Sequence, residues 1–151
     1  LGQNFGARQW DRIERTLSDS LLIMVVFCTG VSALLWLVQD SVINAFKLNP
    51  QAADIVSLFC TYLAITFVFN GMLFTANATF NNLNSPRIAS TLSVGKATIG
   101  TIPFVMLGSY YWQANGVLIG QAVGSVLFGV LAYWMALLKV KRMRKAYERD
   151  D

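Results

Sequence analysis

Four long apolar runs separated by short polar joints set the pattern of this chain: Leu17 to Val38, Ile55 to Phe80, Ile88 to Trp112 and Gly116 to Leu138. The runs are filled almost continuously, without the two-residue alternation of a half-buried strand. Each reaches the roughly 20 residues that, at about 1.5 Å rise, cross a hydrocarbon core of about 30 Å. Lipid offers backbone N–H and C=O groups no partners, so such runs form helices that close their own hydrogen bonds. The pattern predicts an all-α membrane protein with four transmembrane helices. The joints add local signals: Asn49-Pro50 before the second helix, Ser85-Pro86 as N-cap and first residue of the third, and Asn115-Gly116 as a tight turn before the fourth. Residues 1–16 are expected as a polar loop and residues 139–151 as a basic tail.

Charge sharpens this picture. From Ile55 to Leu138 the only Asp, Glu, Lys or Arg residues are Arg87 and Lys96, whereas a soluble domain carries about a quarter of its residues as such charges. Lys and Arg near helix ends are retained on the cytoplasmic side. With four spans, the N-terminal segment, the second joint and the tail share one side, and they hold Arg8, Arg12, Arg15, Arg87 and the cluster Lys139, Lys141, Arg142, Arg144, Lys145 and Arg149, against Lys47 alone on the other. Both ends are therefore expected in the cytoplasm, with the cell's inner membrane as the location. The net charge of +4 is a topology signal, and a nucleic-acid partner is not expected.

Composition removes several chemistries. The chain has no histidine, hence no classical hydrolytic triad and no ordinary zinc site. Cys28 and Cys60 sit inside apolar runs without ligand spacing and are expected as small buried hydrophobes. Asn77-Ala78-Thr79 spells a glycosylation sequon inside a span, a coincidence on this reading. No catalytic residues and no cofactor are expected, and the protein is not expected to be an enzyme. The chain opens at Leu1 without a cleavable signal pattern. Together with polar groups that lack evident partners, this points to a piece of a larger bundle.

Those polar groups are the candidates for function. Asn70, Asn77 and Asn81 fall on one face of the second helix at about 100° per residue, with Thr66 one turn earlier. An amide facing lipid would leave its donors and acceptor unmet, so this face meets protein, as interhelical glue, or a water-filled path. Lys96 lies near the membrane centre, about 15 Å along its helix from Pro86. A central Lys costs about 2.5 to 3.5 kcal/mol on insertion scales, which leaves two accounts: it snorkels toward the cytoplasm, or it stands on a hydrated cavity near an acid or an anionic substrate group. Pro103 removes a helix hydrogen bond and should kink the third helix, as a hinge or as an ordinary membrane-helix bend. Gly116, Gly120, Gly124 and Gly129 form a small-residue ridge suited to close helix packing. Gly6 is placed to end a preceding helix in the left-handed region.

The segment Gly2-Gln3-Asn4-Phe5-Gly6-Ala7 followed by Arg12 resembles the Gly-Gln-Asn-x-Gly-Ala-x-x-x-x-Arg motif of the multidrug and toxic compound extrusion family, found in the cytoplasmic loop after the second helix of a six-helix half. The joint Phe46 to Pro50, the turn Phe80 to Pro86, Pro103 and Gly116 are similar to that family as well. The resemblance covers essentially the whole chain. It implies helices 9–12 of a twelve-helix transporter, whose missing parts are the N-terminal lobe and the first helices of the second lobe. It also implies export of cationic or amphipathic small molecules in exchange for Na⁺ or H⁺ by alternating access. Some branches of that family place a cation-binding Asp where this chain has Asn70, with a Tyr where it has Thr66. A neutral amide binds cations more weakly and carries no proton, so the coupling site is expected outside this chain. Two other readings stand beside export: a lipid-linked oligosaccharide or polysaccharide flippase of the related superfamily, and a non-transporting membrane scaffold or anchor.

Overall fold

A computed structural model describes every residue except Arg8 and Asp151; both charges counted at those positions lie outside the described residues. The described chain is helical from end to end, with no strand. Its elements are α1 (Gly2–Gly6), α2 (Trp10–Ala45), α3 (Pro50–Leu58), a π-turn (Phe59–Leu63), a 3₁₀ turn (Ala64–Thr66), α4 (Phe67–Asn82), α5 (Pro86–Ala97) and α6 (Ile102–Asp150). Three continuous stretches, Trp10–Ala45, Pro50–Asn82 and Pro86–Arg149, are long and apolar enough to cross a membrane. The third folds back on itself. Trp112 and Gln113 leave helical geometry, and across this reversal Gly108 lies against Gly116, Phe104 against Gly120 and Gly100 against Gly124. The two arms of α6 are thus antiparallel and in close backbone contact.

Several boundaries differ from the expectation, for one reason: charge ends a membrane span without ending a helix. α2 begins at Trp10 and runs to Ala45, so much of the expected loop 1–16 is helical, and the expected tail 139–151 is a continuation of α6 through Asp150. Gly6 does not take the left-handed conformation; no glycine has positive φ, and α1 ends on Ala7 at φ −84°. The last reversal falls at Gln113 rather than at Asn115-Gly116, because Gly116 is needed inside the helix, where any Cβ would collide with the Gly108 carbonyl. Each of the three reversals uses one left-handed residue, Lys47, Asn84 and Gln113. Asn49 caps α3 by accepting from the Ala52 N–H at 2.8 Å, as its place before Pro50 predicts. Ser85 precedes Pro86 as expected, but its hydroxyl donates to Leu83 O instead of capping.

Two apolar clusters hold the helices together. One joins Leu73, Ala76 and Phe80 of α4 to Ala89 and Leu92 of α5 and to Ala132 and Ala136 of α6. The other joins Ile13 and Leu17 of α2 to Leu83 and Val140, with Phe5, Trp10 and Met143 packed around them. Both sit toward the end of the bundle that carries the Asn84 turn and the two termini. Toward the other end α2 exposes Leu22, Ile23, Val26, Phe27, Leu34, Trp36 and Leu37, and the reversal exposes Tyr110, Tyr111 and Trp112. In water that apolar surface is a liability; against acyl chains or further helices it is ordinary.

Candidate functional site

Asn70 and Asn77 lie two turns apart on the face of α4 that meets α5. Asn77 Nδ2 donates to Ser93 Oγ at 2.9 Å, and Lys96 Nζ donates to Asn70 Oδ1 at 2.5 Å. Ser93 and Lys96 share a face of α5 at a three-residue spacing, so the two bonds fasten the helices at successive levels. Polar groups expected to need companions outside the chain thus find them within it. Lys96 is half-buried, and its ammonium is met by an acceptor on the neighbouring helix. An ammonium only donates, so Asn70 must present Oδ1 to it and its NH₂ elsewhere. Asn77 Oδ1 is buried without a partner.

Both helices around this pair are broken. Ahead of Asn70 the chain passes through the π-turn and the 3₁₀ turn, and the Thr66 hydroxyl donates back to Leu63 O at 2.6 Å. Such local rewinding is frequent at functional positions. Beyond Lys96 the α-helix stops at Ala97 and resumes at Ile102. In between, the Gly100 N–H reaches five residues back to Gly95 O at 2.9 Å, and the Thr101 hydroxyl donates to Lys96 O at 2.8 Å. Pro103 explains the location: it has no N–H for Ile99 O, and its ring clashes with that carbonyl. The distortion therefore falls just before the proline, beside Lys96.

A cavity of about 50 Å³ opens between the broken part of the second stretch and the second arm of α6, lined by Phe59, Leu63, Thr66, Phe67, Asn70, Leu118, Gln121, Ala122 and Ser125. That is room for a few waters or one small polar group. Thr66 and Asn70 were singled out by sequence; Gln121 and Ser125 were not. Their signal was a polar pair at four-residue spacing in an otherwise apolar span, each directly after a ridge glycine. Across the same broken segment, Phe27, Cys28, Val31, Leu35, Phe59, Ala64 and Phe67 line an apolar groove of about 240 Å³.

The remaining candidates lie elsewhere. Asn81 is exposed beside the Asn84 turn, about 16 Å from Asn70 along α4. In the motif segment, Gly2 packs on the Asn82 side chain, Gln3 O accepts from Ala7 N–H at 3.0 Å and Asn4 O accepts from Gln9 N–H at 2.8 Å. Gly6 has open space around it, and Arg12 O accepts from the Thr16 hydroxyl at 2.7 Å. This segment contributes nothing to the cavity; it docks on the end of α6. Phe5 and Trp10 meet edge to face with centroids 5.9 Å apart, Trp10 contacts Tyr147, and Arg144 binds Asp11 at 2.8 Å and Glu148 at 2.9 Å. The hydrogen bond that Arg144 donates to Glu148 and the charge of Asp11 raise the Arg144 pKa above its ordinary value. The guanidinium stays charged throughout.

The MatE family model matches residues 1–107. Among curated proteins, the chain is 24% identical over 136 residues to one described as "FAD transporter" in Shewanella oneidensis, a match covering 90% of this chain and 30% of that protein. It is also 24% identical over 138 residues to a Pseudomonas savastanoi protein described as "Uncharacterized 21 kDa protein in iaaL 5'region", covering 87% of this chain and 43% of the relative. Among solved structures, the Vibrio cholerae MATE transporter VcmN in the bent form matches with a TM-score of 0.83 at 19% identity, over 95% of this chain and 33% of that one. This likeness carries the fold. The chain spans less than half the length of either curated relative.

Proposed function

The chain belongs to the MatE family of membrane transporters, and from that premise we propose that it forms the last part of the second six-helix lobe of a secondary active exporter. On this reading α2, the stretch from α3 to α4, the stretch from α5 through the first arm of α6, and the second arm of α6 each cross the membrane, which makes four spans. The short α1, the Asn84 turn and the end of α6 are cytoplasmic, in agreement with the distribution of Lys and Arg. The membrane is the inner membrane of the cell.

Export proceeds by alternating access, in exchange for Na⁺ or H⁺, as repeated halves allow. The single observation that supports this most is the half-buried polar centre: Lys96 bonded to Asn70, which lines a small cavity, where two neighbouring helices are both interrupted. A scaffold or anchor does not require two adjacent interrupted helices at that depth, whereas discontinuous helices commonly build the central sites of transporters. The coupling cation binds outside this chain, because the stretch from Ile55 to Leu138 that builds this centre contains no Asp or Glu. The transported molecules are amphipathic, and the resemblance to a protein described as an FAD transporter adds flavin dinucleotides to the candidates.

The test uses the whole transporter that contains this segment, in inside-out membrane vesicles. Imposed Na⁺ or H⁺ gradients should drive accumulation of at least one amphipathic dye, drug or flavin dinucleotide, and collapse of the gradient should abolish it. Accumulation indifferent to both gradients would overturn the antiport reading.

A further inference from the structure

We infer that the cavity lined by Asn70, whose amide oxygen is bonded to the Lys96 ammonium, binds an anionic group of the transported molecule, a phosphate or carboxylate, and repels cations. This inference rests on the exporter reading and names the chemistry that the centre of the protein selects.

Lys96 carries three N–H donors. One goes to Asn70 Oδ1, and no other described residue accepts from the remaining two. No ion pair among the described residues includes Lys96: they join Arg15 to Asp19, and Arg144 to Asp11, Glu14 and Glu148. From Ile55 to Leu138 there is no Asp or Glu at all. The centre therefore holds one half-buried positive charge with donors to spare, where its field is screened less than in open water.

The hydrogen-bond inventory then decides the sign of the ligand. A cation needs oxygen lone pairs, and the best one available, Asn70 Oδ1, is already taken by the ammonium. What Asn70 has left for the cavity is its NH₂. An oxyanion placed there meets the N–H groups of Asn70, the hydroxyl of Ser125 and the amide of Gln121, one hydrogen bond away from the Lys96 charge. A metal ion or alkylammonium placed there meets repulsion from a like charge whose Nζ is bonded to the Asn70 side chain that lines the cavity. The cavity is small, so it receives the charged group while the body of the molecule lies outside it.

The experiment measures export by the whole transporter in proteoliposomes, with 4-methylumbelliferyl phosphate as the anionic probe and tetraphenylphosphonium as the cationic one. For the wild type, export of the phosphate ester is expected. Lys96→Met should lower that export by about tenfold or more, the loss of an interaction with a charged partner, while raising tetraphenylphosphonium export. Lys96→Arg keeps charge and donors and should retain phosphate export. Asn70→Asp leaves Lys96 in place but neutralises it with a neighbouring carboxylate, and should reproduce the Lys96→Met phenotype even if Lys96→Met itself inserts poorly. Export of both probes at wild-type rates by Lys96→Met or Asn70→Asp would overturn the inference, as would a wild type that exports the cation and not the phosphate. A wild type that moves neither probe, nor any other compound under a cation gradient, would instead remove the exporter reading, and this inference with it.

Discussion

Lys96 and Asn70 show how a costly residue is made tolerable. A central ammonium costs about 2.5 to 3.5 kcal/mol on insertion scales, and one strong bond to an amide offsets part of that. Replacing the amide should expose the remainder. Asn70→Leu is expected to insert, since it opens no void, but to lose about 1–3 kcal/mol of stability from the deprived ammonium and to show altered export. Thermal unfolding of the purified whole transporter, together with drug resistance at matched expression, checks both effects. Unchanged resistance with lowered stability would reduce Asn70 to interhelical glue. Asn77 is a useful contrast: its bond to Ser93 joins two neutral groups, so its loss should matter less.

The helices are positioned by backbone contact more than by side-chain bulk. Gly124 lies against the Gly100 carbonyl, Gly116 against Gly108 and Gly129 against Phe69 O. Without a hydrophobic drive between helices in lipid, such close approach is what makes the packing favourable. Gly124→Leu is expected to push α6 away from the Thr98–Thr101 break and to cost about 1–3 kcal/mol or more from overpacking. Gly30→Ala, on α2 with nothing nearby, should be neutral. Comparing the melting temperatures of the two variants distinguishes a packing ridge from a general dislike of lost glycine. The ridge holds α6 against the same interrupted segment that carries Lys96, so Gly124→Leu should also disturb the cavity.

At the scale of the molecule, order is unequal along the bundle. The fully buried Ile13, Leu17, Val140, Phe80 and Thr79 all lie toward the end with the termini, where α1, the start of α2, the Asn84 turn and the end of α6 close on one another. Tyr133 ties α6 to α2 there by donating to Leu17 O at 3.0 Å. The ionic part of this clasp is on the surface, with the Asp11 side chain 86% exposed, and exposed ion pairs contribute little. Burial carries the stability instead. Ile13→Ala is expected to cost about 2–5 kcal/mol, whereas Arg144→Ala should cost at most about 1 kcal/mol. Chemical denaturation of the two variants checks the ranking, and a larger loss for Arg144→Ala would move the weight to the charges.

The sequence by itself determined the class of protein, because the absence of charge over so long a stretch and the length of the apolar runs are properties of the bilayer and need no partner to be read. It also determined the glycine ridge, the polar face of α4, the cap at Asn49 and the family motif, all of which are local in the chain. The ends of the helices escaped it, since helical propensity continues past the hydrocarbon into the amphipathic start of α2 and the basic end of α6. So did the reversal at Gln113, where packing claimed the glycine that a turn would otherwise use. Only the tertiary structure decided that Lys96 meets Asn70, and that Gln121 and Ser125 face Thr66 across a cavity. Those pairings depend on the axial offset between antiparallel helices. That offset is fixed by which glycine meets which carbonyl and by where Pro103 interrupts the helix, and residues distant in the chain must be packed together before it exists.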